Sequence, residues 1–304
     1  VVSVPPLVAG IELGGTKIVC LLARGPDALE DRVQLPTTRP EETLAAIEHV
    51  LDGWGKFDAL GIASFGPISI DRHAADYGHV TSTPKPHWAG TDVAKRLAAR
   101  YEVPTGFHTD VVGAALAEAR WGAAEGLRDI AYVTVGTGIG VGLVAGGVPV
   151  DGLTHSEFGH IRPDRLPGDD WIGICPFHGG CLEGLAAGPA IGARAGKKGE
   201  DIAADDPVWE PVVYVLAQLC HTLVLTGVPR RIVMGGGVMV GNDHLFPRIR
   251  AAMVKSLAGY IALPEIGEPA FVVPPALGGN AGPLGAIVLG GQALESQLKS
   301  FTSF

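Results

Sequence analysis

Two cysteines and two histidines lie close together in mid-chain: His160, then Cys175, His178 and Cys181 in a C-x-x-H-x-x-C run. Thiolates and imidazoles at this spacing can converge on one ion, with His160 closing a tetrahedron from upstream. That donor set leaves no position for water and suits a structural Zn²⁺. Taken singly, each residue also fits a buried thiol or a hydrogen-bonded imidazole. Two carboxylates flank the knot, Glu157 before His160 and Glu183 after Cys181. A metal staple there would orient polar groups toward a ligand.

The other residues that could do chemistry are glycine turns and one acid. Glu12-Leu-Gly14-Gly15-Thr16-Lys17 separates two apolar runs, and Gly136-Thr137-Gly138-Ile-Gly140 does the same. Backbone N–H groups and a Thr hydroxyl in such turns can meet phosphate oxygens. Neither turn has P-loop spacing, and an ordinary hairpin turn explains either one alone. Gly235-Gly236-Gly237 follows a β-branched run and would let a nucleobase or ribose approach, or simply turn a strand into a helix. Asp110, after Thr109, opens a predicted helix. A carboxylate at that positive end stays ionised and can serve as general base to a substrate hydroxyl; an N-cap pair gives the same pattern. The loop 81–88 is polar and fixed by proline, and its Lys85 and Trp88 could touch a sugar or line an entrance.

These residues need a scaffold. The stretches 7–22 and 130–144 both read strand, glycine turn, strand, a weak internal repeat. Periodicity predicts helices over 41–51 (after a stop at Pro40), 110–121, 208–226, 246–257 and 282–298. It predicts strands over 59–64, 129–135, 139–144, 231–234 and 271–273, with loops over 163–170 and 197–207. Strands alternating with helices imply a duplicated α/β fold with a cleft between its halves.

Composition narrows the class. The 304 residues are 47% apolar, enough for a sizeable core, and the 44 glycines signal many tight turns. A net charge of −9 offers nucleic acid no bulk attraction. Only four cysteines, two of them candidate metal ligands, fit a reducing compartment. Residues 1–7 lack the pattern of a signal peptide, and no apolar run reaches membrane-spanning length. A cytoplasmic protein with no membrane or nucleic-acid partner is expected.

The motifs occur in a familiar order: Glu12-Leu-Gly-Gly-Thr-Lys, Thr109-Asp110, Val135-Gly-Thr-Gly-Ile-Gly, Glu157-Phe-Gly-His160, the 175–183 knot, Ile232-Val-Met-Gly-Gly-Gly and Ala281-Gly-Pro-Leu-Gly-Ala. Over nearly the whole chain they resemble the ROK family of sugar kinases. The run Gly61-Ile-Ala-Ser-Phe-Gly-Pro-Ile, the Thr-Pro-Lys-Pro loop and Cys-Pro-Phe-His-Gly-Gly-Cys resemble its bacterial fructokinase branch.

The resemblance implies an actin-like ATPase (ribonuclease-H-like/hexokinase) fold, two lobes around a cleft. The small lobe would be 1–109 plus the C-terminal helix 282–304, and the large lobe 110–281 would carry zinc. It implies ATP-dependent phosphorylation of a hexose, D-fructose at the 6-hydroxyl, with mannose or glucose as the alternative. Asp110 would be the base, and Glu157, His160 and Glu183 would hold sugar hydroxyls. Gly14 to Lys17 and Gly136 to Gly138 would cradle phosphates, Gly235 to Gly237 would meet adenosine, and Glu12 would lie near Mg²⁺. A homodimer is the family's common state, and the apolar helix 208–226 is compatible with one. The chain departs from the family at Val112, where Asn is usual. The family's repressors carry a DNA-reading segment before the first glycine turn; with that turn starting at Gly14 and an acidic net charge, a repressor is not expected. A catalytically silent sugar-binding protein is a third possibility, supported by Val112 alone.

Overall fold

The computed structural model of the chain describes residues 4–302. Residues 1–3, part of the segment read for a signal peptide, and residues 303–304, included in the expected C-terminal helix, lie outside the described residues. The chain forms two compact units: Val1–Trp121, Val150–His155 and Gly279–Phe304 in the first, Gly122–Pro149 and Ser156–Gly278 in the second.

In the first unit, β1 (Val8–Leu13), β2 (Lys17–Gly25), β3 (Ala28–Pro36), β4 (Ala59–Ser64) and β5 (Thr105–Thr109) form one sheet in the order β3-β2-β1-β4-β5. The pairs β1–β2 and β2–β3 are antiparallel, and β1–β4 and β4–β5 are parallel. Helices α1 (Pro40–Trp54), α2 (Ala94–Tyr101), α3 (Asp110–Trp121) and the last helix, α8 (Ala281–Thr302), complete the unit. Ile11, Leu60, Ile62 and Trp88 are buried in its core.

The second unit repeats the plan. Strands β6 (Ile130–Val135), β7 (Ile139–Ala145), β8 (Val148–Pro149), β9 (Arg231–Gly235) and β10 (Val272–Val273) take the order β10-β9-β6-β7-β8, the first sheet's order with each strand replaced by its counterpart. The parallel and antiparallel pairings also match. Helices α4 (Leu182–Ala186), α5 (Gly188–Ala195), α6 (Trp209–Thr226) and α7 (Leu245–Leu257) belong here.

The weak sequence repeat is thus a repeat of topology. Two expectations differ from the structure. Pro40 is the first residue of α1, not a stop before it, because proline suits the first helical turn, where its missing N–H has no partner to lose. The expected division after residue 109 falls instead after Trp121. Helix α3 stays with the first unit because its backbone touches α8: a Cβ on Gly285 would lie 2.1 Å from the Gly113 carbonyl carbon. Helix α6 places its apolar residues, Val212, Leu216, Leu219 and Leu223 among them, in the core of its own unit. The short elements β8, α2, α4 and α5 were not legible in the periodicity, nor was the largely exposed β3.

Candidate active site

Backbone turns position the glycines of the first unit. Gly14 to Thr16 join β1 to β2, with the Gly14 N–H donated to Lys17 O at 3.1 Å. Glu12 lies near the end of β1 beside the start of α8, where a Cβ on Gly282 would fall 2.0 Å from Glu12 Oε1. Burial pushes the Glu12 carboxyl up, and the charges of Lys17 and Arg32 pull it partly back. A partly buried acid of this kind suits a nearby cation, the role expected of Glu12 toward Mg²⁺.

Asp110 opens α3. The Val112 N–H is donated to Thr109 Oγ1 at 3.3 Å, so Thr109 caps the helix, and Asp110 Oδ1 accepts the Val111 N–H at 2.8 Å. Val112, at the place of the family's usual Asn, is buried. The preceding His108 is also buried. Its Nδ1 accepts the Thr109 N–H at 2.8 Å, and its Nε2 lies 3.0 Å from Asp151 Oδ1. The bond at Nδ1 leaves the ring proton on Nε2, facing the carboxylate.

In the second unit the metal-ligating types do meet. The ligand atoms of His160, Cys175, His178 and Cys181 all lie within 4.8 Å of one another. Cys175 Sγ is 3.8 Å from both His160 Nδ1 and His178 Nδ1, and Cys181 Sγ is 3.7 Å from His160 Nδ1. A tetrahedron with bonds of about 2.3 Å to sulfur and 2.0 Å to nitrogen has S···N edges of roughly 3.5 Å, so the donor set fits Zn²⁺. The knot is closed by reciprocal Cys175–Gly179 backbone bonds. Helix α4 rests on it so closely that a Cβ on Gly184 would lie 1.9 Å from Gly179 O. Burial pushes the Cys181 thiol up to about 11, a cost that coordination by a cation reverses.

The flanking acids are set by the same local structure. Glu157 precedes the 3-10 turn Phe158–His160. Burial raises its carboxyl, His160 pulls it back, and the charge of Glu183 raises it further, so the two acids and His160 share one electrostatic neighbourhood. Glu183 lies in the first turn of α4, where its Oε2 accepts the Ile139 N–H at 3.1 Å. That bond brings it against the Gly136–Gly138 turn. This turn also meets the start of α5, where Gly188 N–H is donated to Gly136 O at 2.7 Å, and beside it Val238 N–H is donated to Val135 O at 2.9 Å across Gly236, whose φ is 92°.

Each unit therefore gathers its own set. Glu12, Gly14, Gly15, Thr16, Lys17 and Asp110 belong to the first unit, and Gly136–Gly138, Glu157, His160, the cysteines, His178, Glu183 and Gly235–Gly237 to the second. Sequence reasoning missed the Asp151–His108 contact and the buried Asp169, which holds the loop beside the knot. Asp169 bonds Arg194 at 2.6 Å and pairs with Arg165 at 3.3 Å. The partners Asp151–His108 and Asp169–Arg194 stand 43 and 25 residues apart, so they leave no local spacing signal.

The ROK family model matches residues 8–293. A fructokinase of Pediococcus pentosaceus is 42% identical over 95% of this chain and 99% of its own length. A putative fructokinase of Bacillus subtilis (strain 168) is 41% identical over 97% of this chain and 98% of its own. Among crystal structures, a ROK hexokinase from Thermus thermophilus superposes with a TM-score of 0.75 at 28% identity, covering 95% of this chain and 99% of that one. A ROK glucokinase from Streptomyces griseus, in complex with glucose and AMPPNP, gives a TM-score of 0.71 at 25% identity over 94% and 99%. The repeated five-stranded sheets are those of the actin-like ATPase fold, which these hexokinases share. With its family motifs matched from β1 into α8, the chain belongs to the ROK family.

Proposed function

We propose that the protein phosphorylates D-fructose at the 6-hydroxyl with ATP. The observation that carries this reading is the placement of Glu157 and Glu183 around a four-ligand metal cluster, in a chain about 40% identical to fructokinases along nearly its whole length. The metal cluster holds Zn²⁺ in a structural role. It fixes the segments that carry Glu157, His160 and Glu183, and these groups hold sugar hydroxyls.

Asp110 accepts the hydroxyl proton. The freed oxygen bonds to the γ-phosphorus as the bridging P–O bond breaks, and ADP leaves with that electron pair. The glycine turns Gly14–Lys17 and Gly136–Gly138 hold phosphates through N–H groups, and Gly235–Gly237 receives the adenosine. Glu12 would hold Mg²⁺ near the phosphates, where the ion would supply charge neutralisation. Catalysis on this reading is positioning and charge neutralisation. The proposal also includes a homodimer working in the cytoplasm. Among the described residues no helix is long and apolar enough to cross a membrane.

A coupled ADP-release assay with fructose, mannose, glucose and N-acetyl sugars tests the proposal, with Asp110→Asn beside wild type. Fructose-dependent turnover reduced about 10³-fold in the variant is expected. Turnover with aldohexoses only would move the substrate, and none with any sugar would sink the kinase reading.

A further inference from the structure

The turn between β1 and β2 has its carbonyl groups tied down by side chains from elsewhere in the first unit. Gly14 O accepts the Thr37 hydroxyl at 2.7 Å, and Gly15 O accepts Lys85 Nζ at 2.5 Å. Both donors are themselves fixed. Thr37 donates its N–H to Thr16 O at 3.1 Å. Lys85 sits in a loop pinned by the fully buried Trp88, whose Nε1 donates to Thr38 O at 2.9 Å and whose ring packs edge-on to Phe65. The Trp88 N–H is donated back to Lys85 O at 3.3 Å.

In a trans peptide the C=O of one residue and the N–H of the next point in opposite directions within one plane. Among the described residues the cis peptide is Gly66-Pro67, so the turn is trans. Fixing Gly14 O on Thr37 therefore aims the Gly15 N–H the other way, and fixing Gly15 O on Lys85 does the same for the Thr16 N–H. Neither N–H has a partner among the described residues. Successive outward N–H groups form an anion-binding concavity. With their carbonyls untied, these peptides could rotate and present oxygen to an anion, since glycine opposes such rotation least.

We propose that Lys85 is a positioning residue for the nucleotide phosphates: its bond to Gly15 O locks the peptide plane that turns the Thr16 N–H outward, with Thr37 doing the same one peptide earlier. This rests on the reading of Gly14–Lys17 as a phosphate cradle. Lys85 acts through the backbone, so a neutral donor at the same place keeps much of its effect.

The test is calorimetric binding of Mg·ADP and of adenosine to wild type, Lys85→Met, Lys85→Gln, Thr37→Val and Gly15→Asp, with a thermal melt of each. Gly15 has open space at its Cβ position, so aspartate there adds charge without a clash. Lys85→Met and Thr37→Val are expected to weaken Mg·ADP roughly tenfold and leave adenosine unchanged. Lys85→Gln should retain most of the affinity, and KM for ATP should move while KM for the sugar does not. Unchanged Mg·ADP binding in Gly15→Asp would overturn the cradle itself. Weakened binding in Gly15→Asp with normal binding in Lys85→Met would overturn the Lys85 assignment alone. Equal loss in Lys85→Gln and Lys85→Met would make the effect one of charge, which also overturns it.

Discussion

Glu183 Oε2 accepts the backbone N–H of Ile139, 44 residues away, at 3.1 Å. The bond joins the helix that caps the metal knot to the first residue of β7, next to the Gly136–Gly138 turn. Replacing Glu183 by alanine removes a charged acceptor from a backbone donor and an acid from the proposed sugar site. KM for the sugar is expected to rise about 10- to 100-fold in steady-state assays. Glu183→Gln, which keeps a carbonyl oxygen for Ile139, should fall between alanine and wild type. An alanine variant with an ordinary sugar KM would remove Glu183 from the site.

The metal cluster predicts metal content. Purified protein should carry about one zinc per chain by mass spectrometry. Cys181→Ser should lose it, and strong chelation should release it with a fall in melting temperature. The loss should be worst for the segments holding Glu157 and Glu183, so sugar binding should suffer more than Mg·ADP binding. Zinc-free protein with normal sugar affinity would contradict the structural role.

Asp169 is an acid whose pairing outweighs its burial. Burial raises its carboxyl, but the Arg194 hydrogen bond, the Trp171 N–H and the two guanidinium charges bring it below the usual aspartate range. Its stabilisation is therefore complete above the unfolded value, near about 4, and is lost as pH falls through the lower folded value. Asp169→Ala should cost about 2 kcal/mol in denaturant unfolding at neutral pH and speed proteolysis within residues 163–174. That difference should shrink at acid pH. A variant equally stable at pH 7 would show the pairing to contribute nothing.

Glu12 runs the other way. Its folded-state value is raised, chiefly by burial. The folded state then binds the extra proton between the unfolded and folded values. Stability falls as pH rises through that window and stays lower above it. Glu12→Gln should therefore raise the melting temperature at pH 8, with the gain vanishing at low pH, while weakening Mg·ATP use. A destabilised Gln variant at pH 8 would overturn this assignment of the burial cost.

The sequence by itself determined what short spacing can encode. C-x-x-H-x-x-C brings three ligands together within seven residues, so the knot was readable before any fold was known. The two strand-turn-strand runs were readable because hairpin pairing is local, and they proved to be counterparts in two sheets of one topology. Thr109-Asp110 announced the start of α3 by the same local logic. Tertiary structure decided the rest. The division of the chain moved past α3 because its backbone meets α8 across Gly113 and Gly285, far apart in sequence. Asp151 reaches His108 across 43 residues, and Lys85 reaches Gly15 across 70. Such contacts form only when separate elements are packed together, so neither periodicity nor spacing can carry them.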